Sequence, residues 1–378
     1  MAKRTVRVGL PRKEWSFLAY IAGDNSLSDF GLIDIREMCK VGSSRRVHVG
    51  VQMDTAGDHD GVIRYEVTEP DATGKAHRMV IERLPESDSG APETLLGFLK
   101  WGAARYPSTH AVVVVWNHGS GFRGAWEPPR RDIAYDDAGT SLDMPEIRAA
   151  LTKAGFGKRR KVAVLGFDAC LMAMLEIAHH LRDHVDVLVG SQQTEPGDGW
   201  PYAAVLSSVK RSRTAMQLGR RIVVDYLADY RHKMQQNVTQ SAVATARTGE
   251  ALAALGSLGT ALVAQSGLNF PVISLLRPGL QAFEDSPDYV DAVHFGRLLG
   301  EAGKGPKVRT AARRLVRATK RCVVANGSFG SSVANANGAS IWFPFDRVEY
   351  LKYRPAYLAL DLPPAASGWV EFLDRYFA

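Results

Sequence analysis

Through its first half this chain alternates short apolar runs with amphipathic stretches, and few folds accept that order. WSFLAYIAG (Trp15 to Gly23) is apolar enough for a strand buried on both faces, and SLSDFGLIDIREMCK (Ser26 to Lys40) has the three-and-four spacing of a helix. RVHVGVQMD (Arg46 to Asp54) is a second strand. GVIRYEV (Gly61 to Val67) and AHRMVIERL (Ala76 to Leu84) alternate residue by residue and read as an antiparallel excursion. PETLLGFLKWGAARYP (Pro92 to Pro107) is helical. The strand HAVVVVW, the helix MPEIRAALTKAG with Pro145 in its first turn, the strand KVAVLGF, the helix CLMAMLEIAHHLRDH and the strand VDVLVGSQ follow. Strands separated by helices need crossover connections, which lay the strands parallel and put helices on both faces. The expected fold class is therefore α/β with a mostly parallel central sheet.

The second half is less regular. Helices are expected over Thr214 to Gln236, Gly249 to Gln265 and Gly305 to Ala325. A strand is expected over Gly338 to Phe345, after the Ser/Asn/Gly loop NGSFGSSVANANG, and a helix at the C-terminus, with a boundary near residue 210.

With 46% hydrophobic and 23% charged residues, the chain has the profile of a globular protein, and its apolar runs are too short to span a bilayer. The N-terminus is basic, but the apolar stretch Phe17 to Ala22 is shorter than a signal-peptide core, so a cytoplasmic location is expected unless a leader has been lost. Three cysteines, Cys39, Cys170 and Cys322, make no disulfide framework and fit a reducing compartment. Net charge is +7, with basic residues gathered in GKRRK (Gly157 to Lys161) and RRLVRATKR (Arg313 to Arg321). The second set falls on one helix face. Without aromatic interleaving or a nucleic-acid motif, a solvated face is expected rather than nucleic-acid binding.

Several motifs fail on inspection. Gly119, Gly121 and Gly124 spell the dinucleotide fingerprint, but Pro128 and Pro129 stand where its crossover helix must run. DTAGDHDG (Asp54 to Gly61) lacks the register and bidentate Glu of a calcium loop. His180 and His184 lie one helical turn apart with no third ligand in view, so the polar face of a helix is expected there.

What survives is a pair of strand ends. VVVVWNHG delivers His118 and, some fifty residues on, KVAVLGFDAC delivers Cys170. Sites on open parallel sheets form at the carboxyl ends of strands, so neighbouring strands bring both residues to one edge. Cys170 is also expected at the N-terminus of a helix, whose unpaired N–H groups favour thiolate over thiol. His118 can then protonate a leaving amine. Acyl transfer also needs donors aimed at an oxyanion, and the amides of Gly119 and Cys170 are placed for it, with no Cβ at Gly119 to obstruct a substrate carbonyl.

These blocks, with YIAGDNSLSDF, IAYDDAGTSLDMPEIRAAL and GSQQTEPGDGWPY in order between and around them, resemble the clostripain family of clan CD cysteine peptidases from about Trp15 onward. The resemblance implies a caspase-like three-layer sandwich, with an N-terminal extension over 1–13, a catalytic domain over 14–210 and a mainly helical region over 211–378 completing the fold. It implies a Cys170–His118 dyad and an endopeptidase acting on peptides or proteins with Arg or Lys before the scissile bond, and no membrane partner. It maps the specificity-pocket acids onto Asp168 and Asp198. Asp168 fits a helix N-cap equally well, and Asp198 a turn. Some members cleave themselves in a loop after the histidine block, which here holds Arg130 and Arg131 between prolines and charges. A proline-stiffened loop that stays intact is the alternative. The resemblance implies no obligatory cofactor, though calcium stimulates some relatives. Asp136 and Asp137 are the acids to watch. A catalytically silent binding protein on the same scaffold is the competing class; retention of both His118 and Cys170 argues against it.

Overall fold

The structure is a computed structural model and describes residues 10–56, 61–123, 133–283 and 286–378. Its strands are β1 (Lys13–Gly23), β2 (Val47–Thr55), β3 (Ile63–Val67), β4 (Arg78–Arg83), β5 (Ser108–Trp116), β6 (Val162–Asp168), β7 (Val185–Gly190), β8 (Val238–Ala244), β9 (Ala282–Phe283), β10 (Ser286–Asp291), β11 (Val323–Phe329) and β12 (Ser340–Trp342). Its helices are α1 (Ser28–Met38), α2 (Pro92–Arg105), α3 (Met144–Lys153), α4 (Leu175–His180), α5 (Tyr202–Arg211), α6 (Ala215–His232), α7 (Thr248–Val263), α8 (Ser266–Leu276), α9 (Ala292–Ala302), α10 (Pro306–Cys322), α11 (Arg347–Leu358) and α12 (Ser367–Tyr376).

One sheet runs β11-β8-β7-β6-β5-β1-β2-β3-β4, and a small one runs β12-β10-β9. The five strands from β2 to β7 in that order are parallel. The β3–β4 hairpin extends one side antiparallel, as the alternating patterns predict, and β8 and β11 extend the other.

The central strands are nearly all Val, Leu, Ile, Ala and aromatic because both faces are covered. The pleat sorts them by parity. Phe17, Val112 and Val114 join one core with Trp200, Val205, Ile222 and Tyr226, under α1, α5 and α6. Leu18, Val113 and Val115 join the other with Phe98, Ile147, Leu255 and Trp342, under α2, α3, α7 and the C-terminal region. This is the three-layer sandwich that the alternation implies.

The structure departs from expectation in three places. The chain after β6 is not yet helical at Cys170. Leu171 takes a left-handed φ of 65°, its N–H and that of Ala173 donate to Gln193 and Ser191, and α4 begins only at Leu175. Bonds to the segment after β7, about twenty residues away in sequence, hold this turn, and no local periodicity reveals them. The helix expected to reach Ala325 stops at Cys322, and Val323–Phe329 pairs with β8 instead of forming a loop. Both β8 and β11 lie beyond residue 210, yet they are strands of the main sheet.

Candidate functional site

Trp116 and Asp168 are Cα partners in the parallel β5–β6 pair. His118 and Cys170 each lie two residues farther on, so the register alone carries both past the same edge of the sheet. Asn117 locks the histidine side. Its N–H donates to the Asp168 carbonyl (3.2 Å), and its Oδ1 accepts from the N–H of His118 (2.5 Å) and of Tyr135 (3.0 Å). Its Nδ2 donates to the Tyr135 carbonyl (2.9 Å) and to that of Ala22 at the end of β1. The His118 ring meets Tyr135 edge-on at 6.5 Å between centroids, with Nε2 at 3.4 Å from Ser26 Oγ. Asn117 is a positioning residue that the sequence reading passed over.

Cys170 is half-buried. Since no helix starts there, the expected helix-terminus stabilisation of its thiolate is absent. A different donor replaces it: the Glu195 backbone N–H points at Sγ from 3.2 Å, and the Glu195 carbonyl lies 3.9 Å away. An N–H at this distance favours the thiolate by the same electrostatics as a helix end.

Gly119 packs directly on the backbone of Cys170. A Cβ there would stand 2.5 Å from the Cys170 carbonyl oxygen and 3.0 Å from its amide nitrogen, so only glycine fits. The two proposed oxyanion donors thus belong to touching backbone segments. Gly121 is required for another reason: its φ is 75° and a Cβ would strike the Tyr289 ring. Gly124 lies outside the described residues.

His118 and Cys170 line one narrow cleft of about 110 Å³ together with Asn117, Asp168, Glu195 and Gly199. Asp168 is 4% exposed, and its Oδ2 accepts from the Tyr202 hydroxyl (2.7 Å) and the Trp200 N–H (3.1 Å). Gly199, with a φ of 57°, lets the chain pass; a Cβ would lie 2.9 Å from that oxygen. No helix follows Asp168 directly, so it is not the N-cap of one. Burial raises its pKa. Asp198, the other expected pocket acid, is exposed and pairs with Lys233 at 2.9 Å, and Asp229 shares that lysine. The second carboxyl at the cleft is Glu195. Burial first, and then the Asp168 charge, push its pKa well above the ordinary range. Asp34 of α1, 2% exposed, completes the acid cluster; burial and then Asp168 raise its pKa to about 9.

The remaining candidates lie elsewhere. Asp136 accepts from the N–H of Ser89 and of Ala138, both at 2.9 Å, which commits its oxygens to the loop. The N–H of Asp137 bonds the Asp24 carbonyl at 2.9 Å. Among the described residues no group of three or more His, Cys, Asp and Glu converges as a metal site. His180 and His184 are buried instead of lying on a polar face; His180 Nδ1 accepts from the Asp361 N–H, and His184 Nε2 meets Thr152 Oγ1. Arg130 and Arg131 fall outside the described residues. The basic face of α10 forms as expected, while its opposite face buries Val308, Ala312, Leu315 and Ala318. Among the described residues no single helix is long and apolar enough to cross a membrane.

The sequence profile of the clostripain family matches residues 19–376. Over 138 residues the chain is 31% identical to clostripain of Hathewaya histolytica, an alignment covering 33% of this chain and 25% of that protein's own length. Two solved structures share the fold. One is a secreted C11 cysteine protease of Bacteroides thetaiotaomicron with an irreversible peptide inhibitor: TM-score 0.70, 19% identity, 92% of this chain and 99% of that one. The other is an inactive zymogen C11 protease of Parabacteroides distasonis: TM-score 0.73, 18% identity, 96% and 99%. These relatives overturn the expected cytoplasmic location, since the Bacteroides protein is secreted. The expectation rested on the shortness of the apolar stretch Phe17 to Ala22, which is part of the buried strand β1 and carries no information about a leader, and on the scarcity of cysteine, which a sandwich with two extensive cores does not need as disulfides.

Proposed function

This chain belongs to the clostripain family, and from that membership we propose that it is a cysteine endopeptidase hydrolysing peptide bonds after arginine or lysine. The observation that carries the proposal is the single cleft lined by His118, Cys170 and Asp168. Cys170 Sγ attacks the scissile carbonyl as its proton passes to His118. The Gly119 and Cys170 amides take the developing oxyanion, and His118 returns the proton to the leaving amine as the C–N bond breaks. Water then hydrolyses the thioester, releasing the acid and restoring the thiol. A basic side chain ahead of the bond enters beside Asp168, because a buried carboxylate is best satisfied by a cation.

The substrates are peptides or proteins, and the chain itself is proposed as one of them. Arg130 and Arg131 stand between Pro129 and Asp132 in the segment after the histidine block, and a fold relative is known in zymogen form. Cys170→Ala tests both proposals. It should abolish turnover of fluorogenic peptides with a basic residue before the bond and leave the chain uncut at Arg130 and Arg131 by mass spectrometry. Retained hydrolysis of the peptides would refute the peptidase assignment.

A further inference from the structure

The cleft holds more acid than binding one cation requires. Asp168, Glu195 and Asp34 lie together, and among the described residues no lysine or arginine lines the cleft; His118 is its one base. Glu195 Oε1 accepts from Gln240 Nε2 at 3.3 Å, whereas Glu195 Oε2 and Asp34 Oδ2 are buried without a donor. Two carboxyls lining one small cleft cannot both ionise in such surroundings, so one of them keeps a proton. Asp168 already accepts two donors, Trp200 N–H and Tyr202 O–H, which stabilise its charged form. The proton therefore sits on Glu195.

The other groups facing Glu195 keep it there. Cys170 adds negative potential when ionised, and Tyr226 and Tyr230 of α6 offer no positive charge. Lys233, the cation of this corner, is engaged by Asp198 and Asp229 at the surface.

We propose that Glu195 and Asp168 are a proton-sharing pair which a basic substrate side chain splits, so that binding expels the Glu195 proton to solvent and sets two carboxylates around the cation. This inference rests on the basic-residue reading above and deepens it, making Glu195 a specificity-determining residue. The O–H bond of Glu195 breaks, its electron pair stays on the carboxylate, and the incoming cation balances the charge. Substrates without a cation have nothing to offset the second charge and leave the proton in place. The sign of the linkage follows: the complex holds fewer protons than the free protein, so affinity for a basic peptide rises with pH until the free pair has itself ionised.

The test uses the full chain carrying Cys170→Ala, which binds without turnover. A blocked tetrapeptide ending in arginine amide is titrated calorimetrically at pH 7 in phosphate and in Tris, whose different ionisation heats reveal the protons released. A norleucine peptide is the control. The expected result is selective binding of the arginine peptide with close to one proton released, and binding that strengthens from pH 6 to pH 7.5. Adding Glu195→Gln should remove that release and its pH dependence and weaken binding by about tenfold to a hundredfold. Selective binding with no proton released, or an unchanged release in the Glu195→Gln protein, overturns the proton-sharing pair while the basic pocket stands. Equal binding of the norleucine peptide, or no binding of either, overturns the basic pocket and this inference with it. If Glu195→Gln does not fold, the proton count of the parent still decides.

Discussion

Trp116 and Asp168 are partners on the last shared rung of β5 and β6. From this one register the histidine and cysteine loops leave the sheet side by side. Gly119 of the first then rests on the carbonyl and amide of Cys170 in the second.

That contact gives the first prediction. Gly119→Ala puts a methyl 2.5 Å from the Cys170 oxygen and must push the two loops apart. Loss of an aligned oxyanion donor costs about a hundredfold to a thousandfold in kcat. Steady-state kinetics should show that fall with KM little changed; a normal kcat would exclude Gly119 from the oxyanion site.

The two acids of the specificity reading separate cleanly. Asp168→Asn should lower kcat/KM for arginine substrates at least about a hundredfold. Asp198→Asn removes an exposed ion pair with Lys233 and should stay within about threefold of the parent. Reversal of that order would return Asp198 to the pocket.

This division shows what was legible in the sequence. The runs of Val ending in Asn117-His118 and in Asp168-Ala-Cys170 are local signals, and the β5–β6 register preserved their meaning. The block Thr194-Glu-Pro-Gly-Asp198 holds two acids, and no local signal favours Glu195 over Asp198. In the fold Glu195 lines the cleft, whereas Asp198, beyond a turn closed by the Gly199 N–H on the Pro196 carbonyl, pairs with Lys233 at the surface. The late start of α4 was hidden for a related reason. The left-handed backbone at Leu171, a residue with no turn signature, is held by bonds to Ser191 and Gln193.

Arg123 ties the histidine loop to the C-terminal region. It forms a buried ion pair with Asp288 and lies between the Tyr289 and Tyr353 rings at 4.8 and 4.7 Å. Arg123→Ala leaves the Asp288 carboxylate buried without its ion-pair partner, and chemical denaturation should show a loss of about 3–5 kcal/mol. A loss under about 1 kcal/mol, the worth of an exposed pair, would show that the pair is solvated.

Glu176, fully buried, accepts from the Trp342 N–H at 2.9 Å, and its carboxyl is held by burial at about 7 against 4.5 when exposed. Between those values the unfolded chain has released the proton that the folded chain keeps, so this group makes stability fall as pH rises through the window and level off above it. Glu176→Gln removes the effect. The variant should match the parent near pH 4 and exceed it at pH 8 by up to about 3 kcal/mol. A variant less stable than the parent at pH 8 would show that the ionised carboxylate is what the core accommodates.

The most direct measurement of the central claim is covalent. Incubating the protein with a blocked peptidyl-arginine chloromethyl ketone and mapping the adduct by mass spectrometry should place one label on Cys170, with labelling strongly slowed by His118→Ala and absent in Cys170→Ala. Equal labelling of Cys39, or peptide hydrolysis that persists after Cys170 is fully modified, would contradict Cys170 as the nucleophile.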